Sequence, residues 1–539
     1  MEYSCTRLSD LPDEILMMIC RNLNNFDVHY SFEGINLRFD RIVHDSLFTS
    51  RLSFVTWMPY DFIGLLNCDV ILNRYCLQIL PDIHDKVKRL DLETSSMRQV
   101  LRAADYSILN SLALYNITEK SIHYLSVNET LSYLKNQITT LTLSIDGYDG
   151  DCGRLESIAN IFNSIFVVFP RLTTLTLHES SYSNRARLDF ADLLLPDFRS
   201  TTLRQLTLNV QCFDDCLRVL DGRFSRLHTL CVDLTNLHSS HEIQSRISCD
   251  DLPNLKRFSI SCNLVTCDYD IRILPLLRRM FNLEELSLCL TVWQGSTYID
   301  GNKLKKDIID HMSQLNRFSF SIDSFIITPK QIDLPSAEDI QRTFVDFSNT
   351  KVISCVDYFP EANQARCLCY SYPPLTQYCG VITNNFLGGL FINVRLVSLF
   401  DERPFEHEFF NEIRKSFPHM ERLAVKNDKA QHFRQFHGPI DGSENLSVID
   451  YPFLNQLIIV DVHDDYIEQF LLHSRACFQG TTLFVKYTSL ERVTRHFTRD
   501  ETRINCAKIN KLVLYGDTKR SSCLQEYFPH AQICYRRIF

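Results

Sequence analysis

Thirteen times along this chain an apolar residue is followed three positions later by a second and two positions after that by a third. The first nine are Val87-Leu90-Leu92, Leu109-Leu112-Leu114, Ile138-Leu141-Leu143, Leu172-Leu175-Leu177, Leu203-Leu206-Leu208, Leu227-Leu230-Val232, Leu255-Phe258-Ile260, Leu283-Leu286-Leu288 and Leu315-Phe318-Phe320. After a gap come Val394-Val397-Leu399, Met420-Leu423-Val425, Leu454-Leu457-Ile459 and Ile509-Leu512-Leu514. The alternation at the end of each unit predicts a short strand with one buried face. The steps between the first nine middle residues are 22, 29, 34, 31, 24, 28, 28 and 32 residues. That is room for a strand and a helical return. Leu155 to Phe169, Ile271 to Phe281 and Phe409 to Phe417 have helical spacing, and Pro170 ends the first just before a strand. Strand, loop, helix and strand again requires a parallel crossover. A doubly wound α/β fold is the alternative, but no Gly-x-Gly-x-x-Gly or Gly-Lys-Ser/Thr loop is present.

The N-terminus has another texture. Leu8-Ser9-Asp10-Leu11-Pro12-Asp13-Glu14-Ile15-Leu16 runs on to Leu23, and Leu11, Ile15, Ile19 and Leu23 recur every four residues with Leu16 beside them. Ser9 or Asp10 is placed to cap a helix, Pro12 to sit in its first turn, and Asp13 and Glu14 to favour its positive end. Asp27 is read as the next cap, ahead of Val28, Phe32, Ile35, Phe39 and Ile42. Two or three short amphipathic helices follow, too few for a large core of their own. On pattern alone they could be a cap packed on the rest of the chain.

The residues Leu11-Pro12-x-Glu14-Ile15-Leu16, then Ile19, Leu23 and Asp27, resemble the F-box over residues 5–48. Where that family often has Val-Cys and then Trp, this chain has Ile35-Asn36 and Phe39, one residue further from Asp27. The resemblance implies docking on a Skp-type adaptor, itself bound to a cullin scaffold, through Leu8, Leu11, Pro12, Ile15, Leu16, Ile19, Leu23 and Ile35. Residues 49–86 are read as a helical linker punctuated by Pro59 and Pro81, and residues 87–539 as a solenoid. This long part resembles leucine-rich repeats, a parallel sheet on the concave face and helices outside, with Asn263 at one ladder position. Prolines 329, 335, 360, 373 and 374 break the rhythm across 325–390, where Phe344 to Phe347 and Val352 to Val356 are read as degenerate repeat strands. An insertion or a division between two halves would fit the same stretch.

Composition narrows the partners. Net charge is −9 and is spread along the chain, which argues against nucleic acid or an anionic membrane. No basic-then-apolar leader opens the sequence and no run of about 18 apolar residues occurs, so a cytoplasmic or nuclear location is expected. The 20 cysteines include no Cys-x-x-Cys pair, as buried free thiols in a reducing compartment would.

No catalytic constellation, metal site or cofactor loop assembles. His407-Glu408 lacks a second histidine, Gly516 to Ser521 lacks the second glycine of a phosphate loop, and His463-Asp464-Asp465 and Asp214-Asp215 cannot converge on an ion unaided. The expectation is therefore a non-enzyme. If the strands stack, Thr142, Thr176, Thr207, Ser259, Ser287 and Ser319 keep one sheet face small and polar. Arg257, Arg317, Arg422, Lys426 and Lys511 weight its later part positive, a groove suited to an acidic or phosphorylated protein segment. Arg492, Arg495, Arg499 and Arg503 are spaced as one basic helix face. Together with the resemblances, the expected function is substrate recognition in a cullin-type (SCF) ubiquitin ligase, holding a protein target for ubiquitin-dependent degradation. The alternative is a leucine-rich-repeat interaction scaffold with no ubiquitin role.

Overall fold

The computed structural model describes residues 8–56, 64–65, 69–127, 132–145, 154–178, 187–188, 199–237, 254–295, 297–328, 334–347, 350–373, 378–432, 447–516 and 523–536. By internal contacts it forms two compact units, residues 1–287 with 311–317, and residues 288–310 with 318–539. The fold is mixed α/β with extensive parallel sheet.

The first unit opens with helices α1 (Asp13–Cys20), α2 (Asn25–Phe32), α3 (Leu37–Val43) and α4 (Ser46–Thr49). Pro12 itself is the N-cap of α1, with no side-chain cap bond, while Leu8–Asp10 forms a separate turn closed by the Leu11 N–H on the Leu8 carbonyl. Asn24, not Asp27, caps α2: its side chain accepts the Phe26 N–H, and Asp27 falls in the first turn. Asn36 accepts two N–H groups of α3, and Asp45 one of α4. The helices share a small core of Leu16, Cys20, Val28, Phe39, Ile42, Val43 and Phe48.

The parallel sheet starts one strand before residue 87. Strand β1 (Arg51–Ser53) pairs with β2 (Arg89–Glu93), although three residues are too few to show an alternation in sequence. There follow β3 (Ser111–Ile117), β4 (Thr140–Ile145), β5 (Thr174–His178), β6 (Gln205–Val210), β7 (Thr229–Leu234) and β8 (Arg257–Thr266), each parallel to the one before it. The three apolar residues of every repeat from Val87 to Leu288 are buried, as are Phe318 and Phe320 of the ninth, whose Leu315 is half-buried. Helix Arg154–Val168 returns the chain as its spacing predicts.

Two features recur. In five coils of this unit a large buried side chain stands three residues before the first apolar position: Tyr106, Phe169, Phe224, Met280 and Met312. Its carbonyl accepts the N–H of that apolar residue, closing a tight turn, as from Leu172 to Phe169 at 3.2 Å. Two successive N–H groups then fork onto one carbonyl of the previous coil. Lys88 and Arg89 donate to Ser50 at 2.9 and 3.0 Å, and Asn316 and Arg317 to Glu284 at 2.8 and 3.1 Å. Each coil is thus locked to the last by groups that would otherwise go unpaired.

The second unit takes the chain from within β9 (Glu285–Trp293). Strand β10 (Arg317–Ile327) is followed by β11 (Val352–Phe359) and β12 (Gln364–Ser371), and both neighbours of β12 run antiparallel to it. This overturns the reading of 325–390 as degenerate parallel repeats. Only four residues, Pro360 to Asn363, separate β11 from β12, with Asn363 at φ 50°; that length makes a hairpin and cannot make a parallel crossover. Phe344 to Phe347 is a turn after helix Ala337–Arg342, not a strand. Seven parallel strands follow: β13 (Tyr378–Ile382), β14 (Leu396–Phe400), β15 (Arg422–Lys426), β16 (Gln456–Ile459), β17 (Thr481–Lys486), β18 (Ile509–Tyr515) and β19 (Gln532–Arg536). The same turn-closing residues recur as Phe391, Phe417, Tyr451 and Phe528.

Candidate functional site

Two surfaces stand out, one in each unit. On α1, Leu16 and Cys20 face inward, whereas Ile15, Met18 and Ile19 share the opposite side at spacings of three and four. With Leu8, Leu23, Ile35, Leu37 and Leu47 they are 37–80% exposed. Pro12 is also exposed and Leu11 is half-buried. The sequence stripe is therefore split: Leu16 holds the small core with Leu11 packed against it, and Ile15, Ile19 and Leu23 are offered to solvent. Met18, Leu37 and Leu47 were missed as exposed positions; the i+3 step from Ile15 to Met18 was the available signal. So many large apolar side chains on one small helical module exceed what scattered surface residues explain.

The same helical module carries a polar cluster. The Glu33 carboxylate meets His44 Nε2 at 2.6 Å and His29 Nδ1 at 3.4 Å, and His29 Nε2 reaches the Phe48 carbonyl at 3.4 Å. Burial pushes the Glu33 carboxyl up, but its hydrogen bonds to the two histidines and their charge outweigh that and hold it below its ordinary 4.5. A depressed carboxyl gives stability that is present above the unfolded value and lost as pH falls through the folded one. The melting temperature of the helical module should therefore fall as pH drops below about 4.5, and Glu33→Gln should flatten that part of the profile. Parallel profiles for the two proteins would reject it.

In the second unit a cleft of about 360 Å³ opens where β14, β15, β16 and β17 end. It is lined by Glu361, Phe400, Asp401, Glu402, Lys426, Asn427, Asp428, Asp461, Val462 and Lys486. Sequence reasoning found only Lys426 here, because the other residues come from loops that no pattern links. Lys426 lies 5.7 Å from the Phe400 ring centre. Lys486 pairs with Asp461 at 2.8 Å, Lys429 with Glu361 at 2.7 Å, and Arg403 with Asp401 at 3.3 Å. Glu402 accepts the backbone N–H groups of Glu361 and Ala362 at 2.8 and 2.9 Å. Burial opposes ionisation of Asp401, yet N–H groups of Asn384 and Arg403 hold its carboxyl below the usual range. Five carboxylates thus line the place where a positive groove was expected.

The remaining basic residues do not gather. Arg257 pairs with Glu285 at 3.2 Å, and Arg317 is exposed, both in the first unit. In the second, Arg422 and Lys511 share a register row with Gln456 and Thr482 between them, at the opposite end of the strands from Lys426. The run from Arg492 to Arg503 is not one helix face. Arg495, His496 and Phe497 all have φ near +50 to +64°, which separates helix Tyr487–Val493 from helix Asp500–Cys506. Arg492, Arg499 and Arg503 pair with Asp464, Glu468 and Asp500.

The small polar row is partly as expected. Thr142, Thr176, Thr207 and Ser259 fall in register, with Cys231 between the last two. The face is closed over β2 to β4, however, where both sides are buried and Val55 packs on Ala113 and Tyr115.

His407 is buried against Gln469 and the Ser447 carbonyl, and His463 caps a helix. Asp214 and Asp215 are buried in helix Phe213–Val219. Gly516 directly follows β18, and residues 517–522 lie outside the described residues. Among the described residues no three His, Cys, Asp or Glu side chains could share a metal ion, and no helix is long and apolar enough to cross a membrane. Comparison of the sequence with family models and with curated proteins finds no match to either.

Proposed function

We propose that the chain is the substrate-recognition subunit of a cullin-type ubiquitin ligase. The N-terminal helices dock on a Skp-type adaptor, and the leucine-rich-repeat-like coils hold the protein to be modified. The observation that carries this reading is the exposure of Ile15, Met18, Ile19, Leu23, Ile35 and Leu37 in a helical module that already has a core of its own. A helical cap would bury those side chains against the following residues. The receptor performs no bond chemistry; it raises the effective concentration of a target lysine near a charged ubiquitin carrier.

The test is a pull-down of purified Skp-type adaptor by the full chain and by an Ile15→Asp/Ile19→Asp variant. Both positions are exposed, so folding should be unchanged. Two charges placed in a desolvated apolar contact should reduce binding by about 100-fold or more. If the folded wild-type chain does not bind the adaptor, the plain repeat-scaffold reading takes its place.

A further inference from the structure

Helix α1 begins without a cap of its own. Pro12 occupies the N-cap position and offers no side-chain acceptor to the first turn. A side chain of α3 reaches this junction. The Arg38 guanidinium reaches back across 25 residues, donating from Nε to Asp13 Oδ1 at 2.6 Å and from Nη2 to the Leu11 carbonyl. These two contacts fall on either side of Pro12. A planar guanidinium with donors in a fixed fork suits this task, whereas a lysine ammonium could satisfy only one acceptor with direction.

The surroundings of Arg38 matter as much as its bonds. Asn36 holds the first turn of α3 by accepting the Arg38 and Phe39 N–H groups, both at 3.0 Å, so the backbone under Arg38 is fixed. Phe39, next in sequence, is buried in the helical core and stacks on Phe32 at 5.4 Å. The flanking Ile35 and Leu37 are exposed, as are Leu8 and Ile15 on the side that Arg38 clamps. The Arg38 side chain is 36% exposed and the Asp13 side chain 58%. The ion pair is therefore too open to hold the fold together, but it links the segment that carries Leu8 and Ile15 to the one that carries Ile35 and Leu37.

We propose that Arg38 is a positioning residue. Its fork onto Leu11 and Asp13 preorganises the Leu8–Ile15 segment against Ile35 and Leu37, so that the two halves of the apolar face meet a partner as one rigid surface. This deepens, and for its effect on affinity rests on, the reading of that face as an adaptor-docking surface. Preorganisation acts by removing an ordering cost at the moment of binding, so its loss weakens a partner's hold without unfolding the protein.

The experiment uses the full chain with Arg38→Met and Arg38→Lys. Methionine keeps most of the aliphatic stem and removes the fork; lysine keeps the charge. In the free protein, the Leu11, Ile15 and Leu16 amides, which bond the Leu8 and Pro12 carbonyls, should exchange roughly fivefold faster in Arg38→Met, with the thermal midpoint unchanged. Affinity for purified Skp-type adaptor should fall about five- to tenfold in Arg38→Met. Arg38→Lys should recover only a minor part, and Asp13→Asn should add little to Arg38→Met because both break the same contact. Unchanged exchange of the Leu11, Ile15 and Leu16 amides in Arg38→Met overturns the proposal whether or not an adaptor binds. Absence of adaptor binding by the wild-type chain, with the exchange increase present, removes the docking reading and leaves the clamp standing. An equal loss of affinity with a lowered midpoint would make Arg38 a stabilising residue of the fold and reject the positioning role.

Discussion

Replacing Arg366 by methionine should destabilise the second unit by about 3–5 kcal/mol, among the largest losses available to one substitution in this chain. Among the described residues Arg366 is the largest fully buried side chain. Its guanidinium bonds Asp323 on β10 at 2.6 and 2.9 Å, Asp357 on β11 at 3.2 Å, and the Gly380 and Val381 carbonyls on β13. Thr383 and Asn385 donate to the same Asp357 at 2.6 and 2.9 Å. One cation therefore joins the antiparallel strands of this unit to the first of its seven parallel strands.

The balance of charge gives the prediction a second signature. Burial pushes the Asp323 carboxyl above its ordinary range even with Arg366 opposing that shift. Without the guanidinium two carboxylates face each other in the interior, and at least one is driven to take up a proton. A carboxyl whose folded pKa lies above its unfolded one costs stability at high pH and stops doing so as pH falls through the folded value. The deficit of Arg366→Met should therefore shrink on acidification, and a triple variant that also carries Asp323→Asn and Asp357→Asn should regain part of the loss at neutral pH. Because the chain has two units, hydrogen exchange of the Gln364–Ser371 amides is the proper readout rather than a single melting curve. A loss below about 1 kcal/mol in those amides would show that the β10, β11 and β13 junction is held by packing instead.

Legibility differs along the chain for physical reasons. The parallel strands could be read directly, since three buried apolar residues at fixed spacing follow from the geometry of one strand. The antiparallel hairpin could not, because alternation in β11 and β12 looks the same for either direction. Only the four residues between them, with the hairpin-compatible Asn363, carried the answer. Two matching heptads were also overlooked. Tyr75-Cys76-Leu77-Gln78-Ile79-Leu80-Pro81 and Tyr269-Asp270-Ile271-Arg272-Ile273-Leu274-Pro275 both start a π-helical turn and place the proline early in the helix that follows, where its missing N–H is not needed. The N-terminal apolar stripe was visible as a stripe, but periodicity does not say which of two adjacent faces is turned inward. Leu16 and Ile15 are neighbours in sequence, and only the core of Phe39, Ile42 and Phe48 decides between them. The acid-rich cleft was illegible because Glu361, Asp401, Asp428 and Asp461 come from four loops that only the stacked strands bring together.

The turn-closing residue ahead of several of the strands yields the other large effect. Phe417 is fully buried and stacks on Phe391 and Phe386 with ring centres 4.9 and 5.7 Å apart. Pro418 follows it, so its backbone leaves the helical region, with φ −121° and ψ 70°, and its carbonyl turns to accept the Met420 N–H at 3.1 Å. The side chain seals one coil against the next at the point where the main chain changes direction. Phe417→Ala should cost about 3–5 kcal/mol, the transfer of a large aromatic side chain plus the cavity left among rings that cannot collapse into it. Phe453→Ala is the matched control. Phe453 precedes a strand in the neighbouring coil but is 48% exposed, and its loss should fall within about 0.5 kcal/mol. Exchange of amides in β14, β15 and β16 measures both variants on the same strands. If the repeated aromatic is a true unit of the fold, Phe417→Ala opens those strands together and Phe453→Ala leaves them closed. Equal protection in the two variants would mean that the forked backbone bonds from Glu421 and Arg422 onto Arg395 hold the coils without help from the ring.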